Sequence, residues 1–214
     1  MQHTWLEEPW VLVLFVLNSV FATQVLIHDL RAKNRQMGAL MKVVWILTVV
    51  YSGFLGLAIY FYAGRRQIRS DSLWRRGFRS VAHCFSGCGG GEVVGVLWAA
   101  SLGLGSTLGT FALTFSLAYL AGLALTVGPL LSDGAPFATA VKDGVLTESA
   151  SIIVMEVVAI SVDLNLARGA GPSEVRFWTV LFISLAAGLL AAYPVNLLLI
   201  RRGIKAGMHD PRTV

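Results

Sequence analysis

The chain has 214 residues, of which 56% are hydrophobic and 14% charged, with a formal net charge of +5. A soluble domain carries about 25% charged residues, so the composition excludes an ordinary soluble globular protein. The positive balance does not point to nucleic acid: the basic residues gather between apolar blocks, where anionic headgroups attract them, and no aromatic-interleaved basic platform is present.

Six apolar blocks reach the roughly 20 residues that carry a helix across about 30 Å of hydrocarbon. They lie near 9–27, 41–62, 81–100, 107–131, 137–162 and 175–200. Only helices and closed barrels satisfy their backbone in lipid, and runs of this length are helical. The expectation is an all-α, polytopic membrane bundle of six transmembrane helices, forming a single transmembrane domain over residues 1–214. The residues ahead of the first block carry Glu7 and Glu8 and no Lys or Arg, unlike a signal peptide. No connection is long enough for a soluble domain of about 50 residues or more.

Basic connections tend to stay cytoplasmic. With six spans, the N-terminus, the Arg-rich connection Arg65–Arg79 and the tail from Arg201 share one side, which then holds eleven Lys and Arg against six. Both termini are thus predicted to be cytoplasmic. The first connection, with Arg31, Lys33 and Arg35, breaks the pattern by falling outside.

The third block opens with His83, Cys84 and Cys88 and continues to Glu92, the ligand types of a metal site. On a helix Cys84, Cys88 and Glu92 follow at i, i+4 and i+8 and share one narrow face. That spacing disfavours a disulfide but lets two thiols share an ion. Gly87, Gly91 and Gly95 form a stripe for close helix packing. The run Gly89-Gly90-Gly91 weakens the helix by about 1 kcal/mol per Gly, and either packing or a local unwinding accounts for it. Gly103, Gly105, Gly109 and Gly122 extend the glycine pattern into the fourth block.

The fifth block carries Glu148, Met155 and Glu156, and Asp163 closes it. A mid-helix acid costs about 2.5–3.5 kcal/mol to insert. No Lys or Arg lies at comparable depth along these spans, so a bound cation or protons are expected to neutralise them. In the sixth block Pro194 removes a helical hydrogen bond, and Asn196 can serve the freed carbonyl or the bundle interior. Both are read as helix-packing residues.

The H-C-x-x-G-C start of the third block, Val43–Trp45 and the stretch Tyr193 to Lys205 together resemble an uncharacterised prokaryotic membrane-protein family, domain of unknown function 4396. The likeness runs from about residue 37 to 208. His83, Cys84, Gly87, Cys88, Gly91 and Glu156 fit its pattern; Glu92 and Glu148 stand where it has Asp, and Lys42 where it has Asn. The resemblance implies a common bundle in a prokaryotic inner membrane and a common cysteine–carboxylate site, but no substrate.

The functional expectation is an integral membrane protein that binds and conducts a thiophilic transition metal ion, Cu(I) first, since thiolate, imidazole and thioether suit it. His83, Cys84, Cys88, Glu92, Glu148, Met155 and Glu156 are the candidate ligands. The alternative is an accessory subunit of a larger membrane complex, or a homo-oligomer, packing through its glycine faces. No enzyme is expected: the chain has no Ser-His-Asp constellation, no phosphate-binding loop and no C-x-x-C.

Overall fold

The computed structural model describes residues 4–104, 107–208 and 210–213. All its regular elements are helical. After a 3-10 turn, Thr4–Glu7, come α1 (Pro9–Ala32), α2 (Ala39–Ser52) and α3 (Phe54–Ile59), the last run on by a wide turn, Tyr60–Gly64. Then follow α4 (Leu73–Ser101), α5 (Thr107–Ser132), α6 (Phe137–Ala167), α7 (Val175–Arg201) and a 3-10 turn, Pro211–Thr213. The all-α expectation holds. Four helices, α1, α5, α6 and α7, are long and apolar enough to cross a membrane.

The 29-residue α4 is long enough to cross but more polar, carrying Arg75, Arg76, Arg79, His83 and Glu92. Its position explains that composition. It packs against α2, α5, α6 and α7, and every residue from 79 to 89 is buried. A helix enclosed over that stretch meets protein instead of lipid there, so its side chains can be polar where neighbours answer them. Ser72 caps it by accepting from the Arg75 N–H.

The block 41–62 is not one straight helix. α2 ends at Gly53, whose φ of 57° is in the region that favours glycine. The chain then reverses. Trp45 meets Tyr60 edge-on with ring centroids 5.4 Å apart, whereas one continuous helix would separate them by about 22 Å. The indole of Trp45 also occupies the place a Cβ on Gly64 would take. Asn18, near the middle of α1, seals the turn by accepting from the Phe54 N–H at 2.9 Å. Arms of 14 residues and of six plus five are each too short to span. The segment is a helical hairpin that enters and leaves at the same end of the bundle. Broken backbone at this depth is tolerated where protein groups satisfy it.

The two ends of the hairpin are tied together. Tyr60 Oη and Asn34 Nδ2 both donate to Asp29 Oδ2 at 2.8 Å, and the Arg66 N–H donates to Asn34 Oδ1 at 2.8 Å. Beside them the buried Arg79 joins three segments: Nη1 donates to Ala63 O (3.1 Å), and Nη2 to both Asp71 oxygens (3.0 Å) and to Met208 O (3.2 Å). The C-terminal tail therefore lies at the hairpin base. The first turn of the chain lies at the other end, where Arg176 Nη1 pairs with Glu7 Oε1 at 2.6 Å. The N-terminal turn and the C-terminal tail thus lie at opposite ends of the bundle.

The glycine stripe packs as expected. A Cβ on Gly87, Gly91 or Gly95 would strike the α5 backbone at Ala121 and Gly122, at Leu117 and Ala118, and at Thr114. Gly89 and Gly90 face the Tyr51 ring and hydroxyl. α4 stays helical through the glycine run, so the alternative of local unwinding is set aside. α7 likewise continues through Pro194.

Candidate functional site

α4, α6 and α7 bring their polar residues to one buried line. Cys84 and Cys88 are free thiols with their sulfurs 3.9 Å apart, as the four-residue spacing on one helix dictates. Toward the tail end, Ser151 Oγ on α6 lies 4.0 Å from Cys84 Sγ. Ser151 accepts from Asn196 Nδ2 at 2.5 Å. Asn196 Oδ1 in turn accepts from Ser80 Oγ at 2.9 Å and from Lys205 Nζ at 3.0 Å. Asn196 is fully buried and acts as the hub joining the three helices, a larger part than the packing role expected of it.

Lys205 is the residue that sequence reasoning missed. Its ammonium donates to Glu148 Oε2 at 2.6 Å, with both side chains almost fully buried. The expectation that no Lys or Arg reaches the depth of Glu148 is overturned, because the lysine comes from beyond the end of α7. That helix closes with Gly203 N to Ile200 O (3.1 Å) and Ile204 N to Leu199 O (3.0 Å), Gly203 taking φ 70°. This left-handed closure reverses the chain and turns Lys205 back into the bundle. The two glycines with positive φ that flank it, Gly203 and Gly207, were the available signal.

On the other side of the thiols stands Glu156, with no exposed surface. No N–H or O–H group among the described residues donates to its carboxylate, and the Cys88 thiol lies within hydrogen-bonding reach of it. It lies close enough to Cys84, Cys88 and Glu92 for their charges to interact, and Glu92 is similarly close to Asp163. Glu92 and Asp163 both line a cavity of about 30 Å³ with Thr110 and Thr114, room for a water or two. Asp163 and Thr110 also line a larger recess of about 570 Å³ between the end of α4 and the α6–α7 connection.

The other candidates have further neighbours. His83 is buried and faces the charge of Lys205. Met155 packs on α7 at Gly188. Glu148 is committed to Lys205. No group of three His, Cys, Asp or Glu side chains among the described residues is gathered as a ready metal cage. The donor set nevertheless fits a two-sulfur site. Cys84 and Cys88 would hold a thiophilic ion through their sulfurs, with the Glu156 carboxylate beside them to offset its charge.

Fold and site together define a polytopic, all-helical membrane protein with a buried line of thiol, hydroxyl, amide and carboxylate groups. The chain belongs to the family described as Domain of unknown function (DUF4396), which matches residues 73–205. That match takes in α4 to α7 and Lys205, the whole polar line, and leaves α1, the hairpin and the Val43–Trp45 motif outside. No curated protein and no solved structure matches the chain.

Proposed function

We propose that this protein binds a thiophilic cation, Cu(I) first, between Cys84, Cys88 and Glu156 and passes it along the polar line. The observation that carries the reading is the pairing of two sulfurs 3.9 Å apart with an adjacent, fully buried carboxylate that has no N–H or O–H donor among the described residues. A carboxylate without a donor in a protein interior needs a proton or a cation, and soft thiolates select Cu(I) over harder ions. Metal binding would displace the thiol protons. Any uphill movement would draw on an ion gradient or a partner, since the sequence has no nucleotide-binding motif.

The recess beside Asp163 would serve as the entrance. The Lys205–Glu148–Asn196 cluster would form the closed inner end, a tethered ammonium occupying the acidic position that a mobile cation would otherwise visit. The same reading gives five crossings, by α1, α4, α5, α6 and α7, with the hairpin re-entering from one side. Of the 17 Lys and Arg residues, only Arg168 and Arg176 then fall at the end bearing the α6–α7 connection. The first connection, anomalous under six spans, obeys the positive-inside rule under five. We therefore place the hairpin base and C-terminal tail in the cytoplasm of a prokaryotic cell and the start of α1 outside its inner membrane.

The test is elemental analysis and Cu(I) titration of the detergent-purified protein beside Cys84→Ser/Cys88→Ser. Stoichiometric binding lost in the double variant supports the assignment. Binding that persists without the thiols, or no binding by the native protein, overturns it.

A further inference from the structure

Residues 203–208 fold back from the end of α7 at the tail end of the bundle. One side chain of that stretch enters the interior, Lys205, whose ammonium donates to Glu148 Oε2 at 2.6 Å and to Asn196 Oδ1 at 3.0 Å. Its neighbours Ile204 and Ala206 are exposed. The backbone is held at its two ends: the Ile204 and Lys205 N–H groups donate to Leu199 O, and Met208 O accepts from Arg79 Nη2 at 3.2 Å. Between them Ala206 and Gly207 make no hydrogen bond among the described residues. Gly203 and Gly207, with φ of 70° and 77°, bracket the lysine, and Met208 borders a cavity of about 230 Å³. A segment opens locally where its backbone bonds are few and its contacts sparse, so one buried side chain is the principal tie of this loop.

Behind that side chain lies the polar line. Asn196 Nδ2 donates to Ser151 Oγ at 2.5 Å, and Ser151 Oγ lies 4.0 Å from Cys84 Sγ. Two polar side chains, Asn196 and Ser151, therefore link the ammonium to the first thiol, with no apolar layer along these contacts. Withdrawing Lys205 while Glu148 has no other counter-ion leaves a buried carboxylate uncompensated, which keeps the loop seated. A cation that reaches Glu148 removes that cost and releases the ammonium to water.

We propose that the loop carrying Lys205 is a displaceable plug on the thiol line. It swings out on Gly203 and Gly207, the lysine leaves Glu148, and the tail end of the bundle opens toward Cys84. Tethered ammonium and mobile cation exchange on one carboxylate, so arrival of the cation opens its own exit. That exchange rests on the metal-ion reading given above; the swing of the loop does not, and it is tested without metal.

The readout is the rate at which N-ethylmaleimide modifies Cys84, followed by mass spectrometry of the full-length Cys88→Ser protein in detergent. A Cβ on Gly207 would lie 3.4 Å from Arg76 Cβ, close to the roughly 3.8 Å spacing of a disulfide. Arg76→Cys/Gly207→Cys can thus pin the loop to α4, and any strain at Gly207 is common to its oxidised and reduced forms. Cys84 is expected to react at least about tenfold more slowly in the oxidised form than in the reduced one. Lys205→Ser/Glu148→Gln removes the stopper together with the charge it answers, so no unpaired carboxylate threatens the fold. Cys84 is expected to react at least about tenfold faster in that variant than in its parent. Equal rates in the oxidised and reduced forms, or no acceleration in Lys205→Ser/Glu148→Gln, would each overturn the plug. Cu(I) titration of the native chain separates the two readings: gated Cys84 without Cu(I) binding keeps the plug and removes its ion, and Cu(I) binding with ungated Cys84 does the reverse.

Discussion

Lys205 Nζ sits 2.6 Å from Glu148 Oε2 in a pair shielded almost wholly from solvent, although the lysine follows the last transmembrane helix and the glutamate lies well inside α6. Breaking one side of a buried pair leaves an uncompensated charge. Lys205→Met is therefore expected to lower stability by about 3–5 kcal/mol, and Lys205→Met/Glu148→Gln to recover most of it. Denaturant unfolding in detergent, arranged as a double-mutant cycle, measures the coupling. Additive losses would show that the pair does not act as a unit.

Glu156 has a different status, since no N–H or O–H group among the described residues answers its carboxylate. Glu156→Gln removes the charge and keeps the shape. If Glu156 supports the thiols in holding Cu(I), the substitution lowers affinity about 10–100-fold, the range seen when a supporting group of a metal site is lost. Competition with a Cu(I) chelator reads this directly, and unchanged affinity would confine the site to the two sulfurs.

The orientation can be read with reporters. A fusion after the C-terminal tail should report cytoplasm, and one ahead of α1 the outside. Single cysteines placed in a Cys84→Ser/Cys88→Ser background sharpen the result. Gln36→Cys should resist an impermeant thiol reagent applied from outside, and Gly171→Cys should react. Both positions reacting from the same side would refute the hairpin topology.

Gly53 sets the hairpin. It has φ 57°, and a Cβ there would collide with the Asn18 amide. Gly53→Ala is expected to cost about 1–3 kcal/mol for the strained backbone and to be worse than the same change at Gly38, where a Cβ meets nothing within 4 Å. Thermal unfolding of the two variants side by side gives the comparison.

The far tail carries a pH signature. The hydrogen bond from the neighbouring Arg212 guanidinium lowers the Asp210 carboxyl from 3.8 to about 2. Its folded form thus holds its proton less tightly than the unfolded form. The resulting stabilisation is present above about pH 4 and is lost as pH falls through about 2. It is small, because the pair is exposed. Protection of the tail from an acid-active protease should be constant down to about pH 4 and decline below, and Asp210→Asn should remove that dependence.

Helix class and the glycine stripe were legible because they depend on local pattern. Length and hydropathy define a membrane helix, and four-residue glycine spacing defines a contact face. The hairpin was hidden because its two arms join into one apolar run of spanning length; only Gly53 and the misplaced charges of Arg31, Lys33 and Arg35 betrayed it. The thiols and Glu156 could be placed by helical spacing along α4 and α6. The partner of Glu148 could not, since it is 57 residues away in sequence and reaches inward only after a glycine-dependent reversal that hydropathy does not register.

The counter-ion of Glu148 leaves the ribosome only after α6 and α7 have been made. Until residue 205 has been made, a nascent bundle holds that acid without its lysine, so it must remain hydrated or protonated while α6 and α7 enter the bilayer. Consolidation of this bundle therefore waits on a few residues after α7. A truncation just past Arg202 would leave all the crossings in place and yet strand the assembly in an unfinished form.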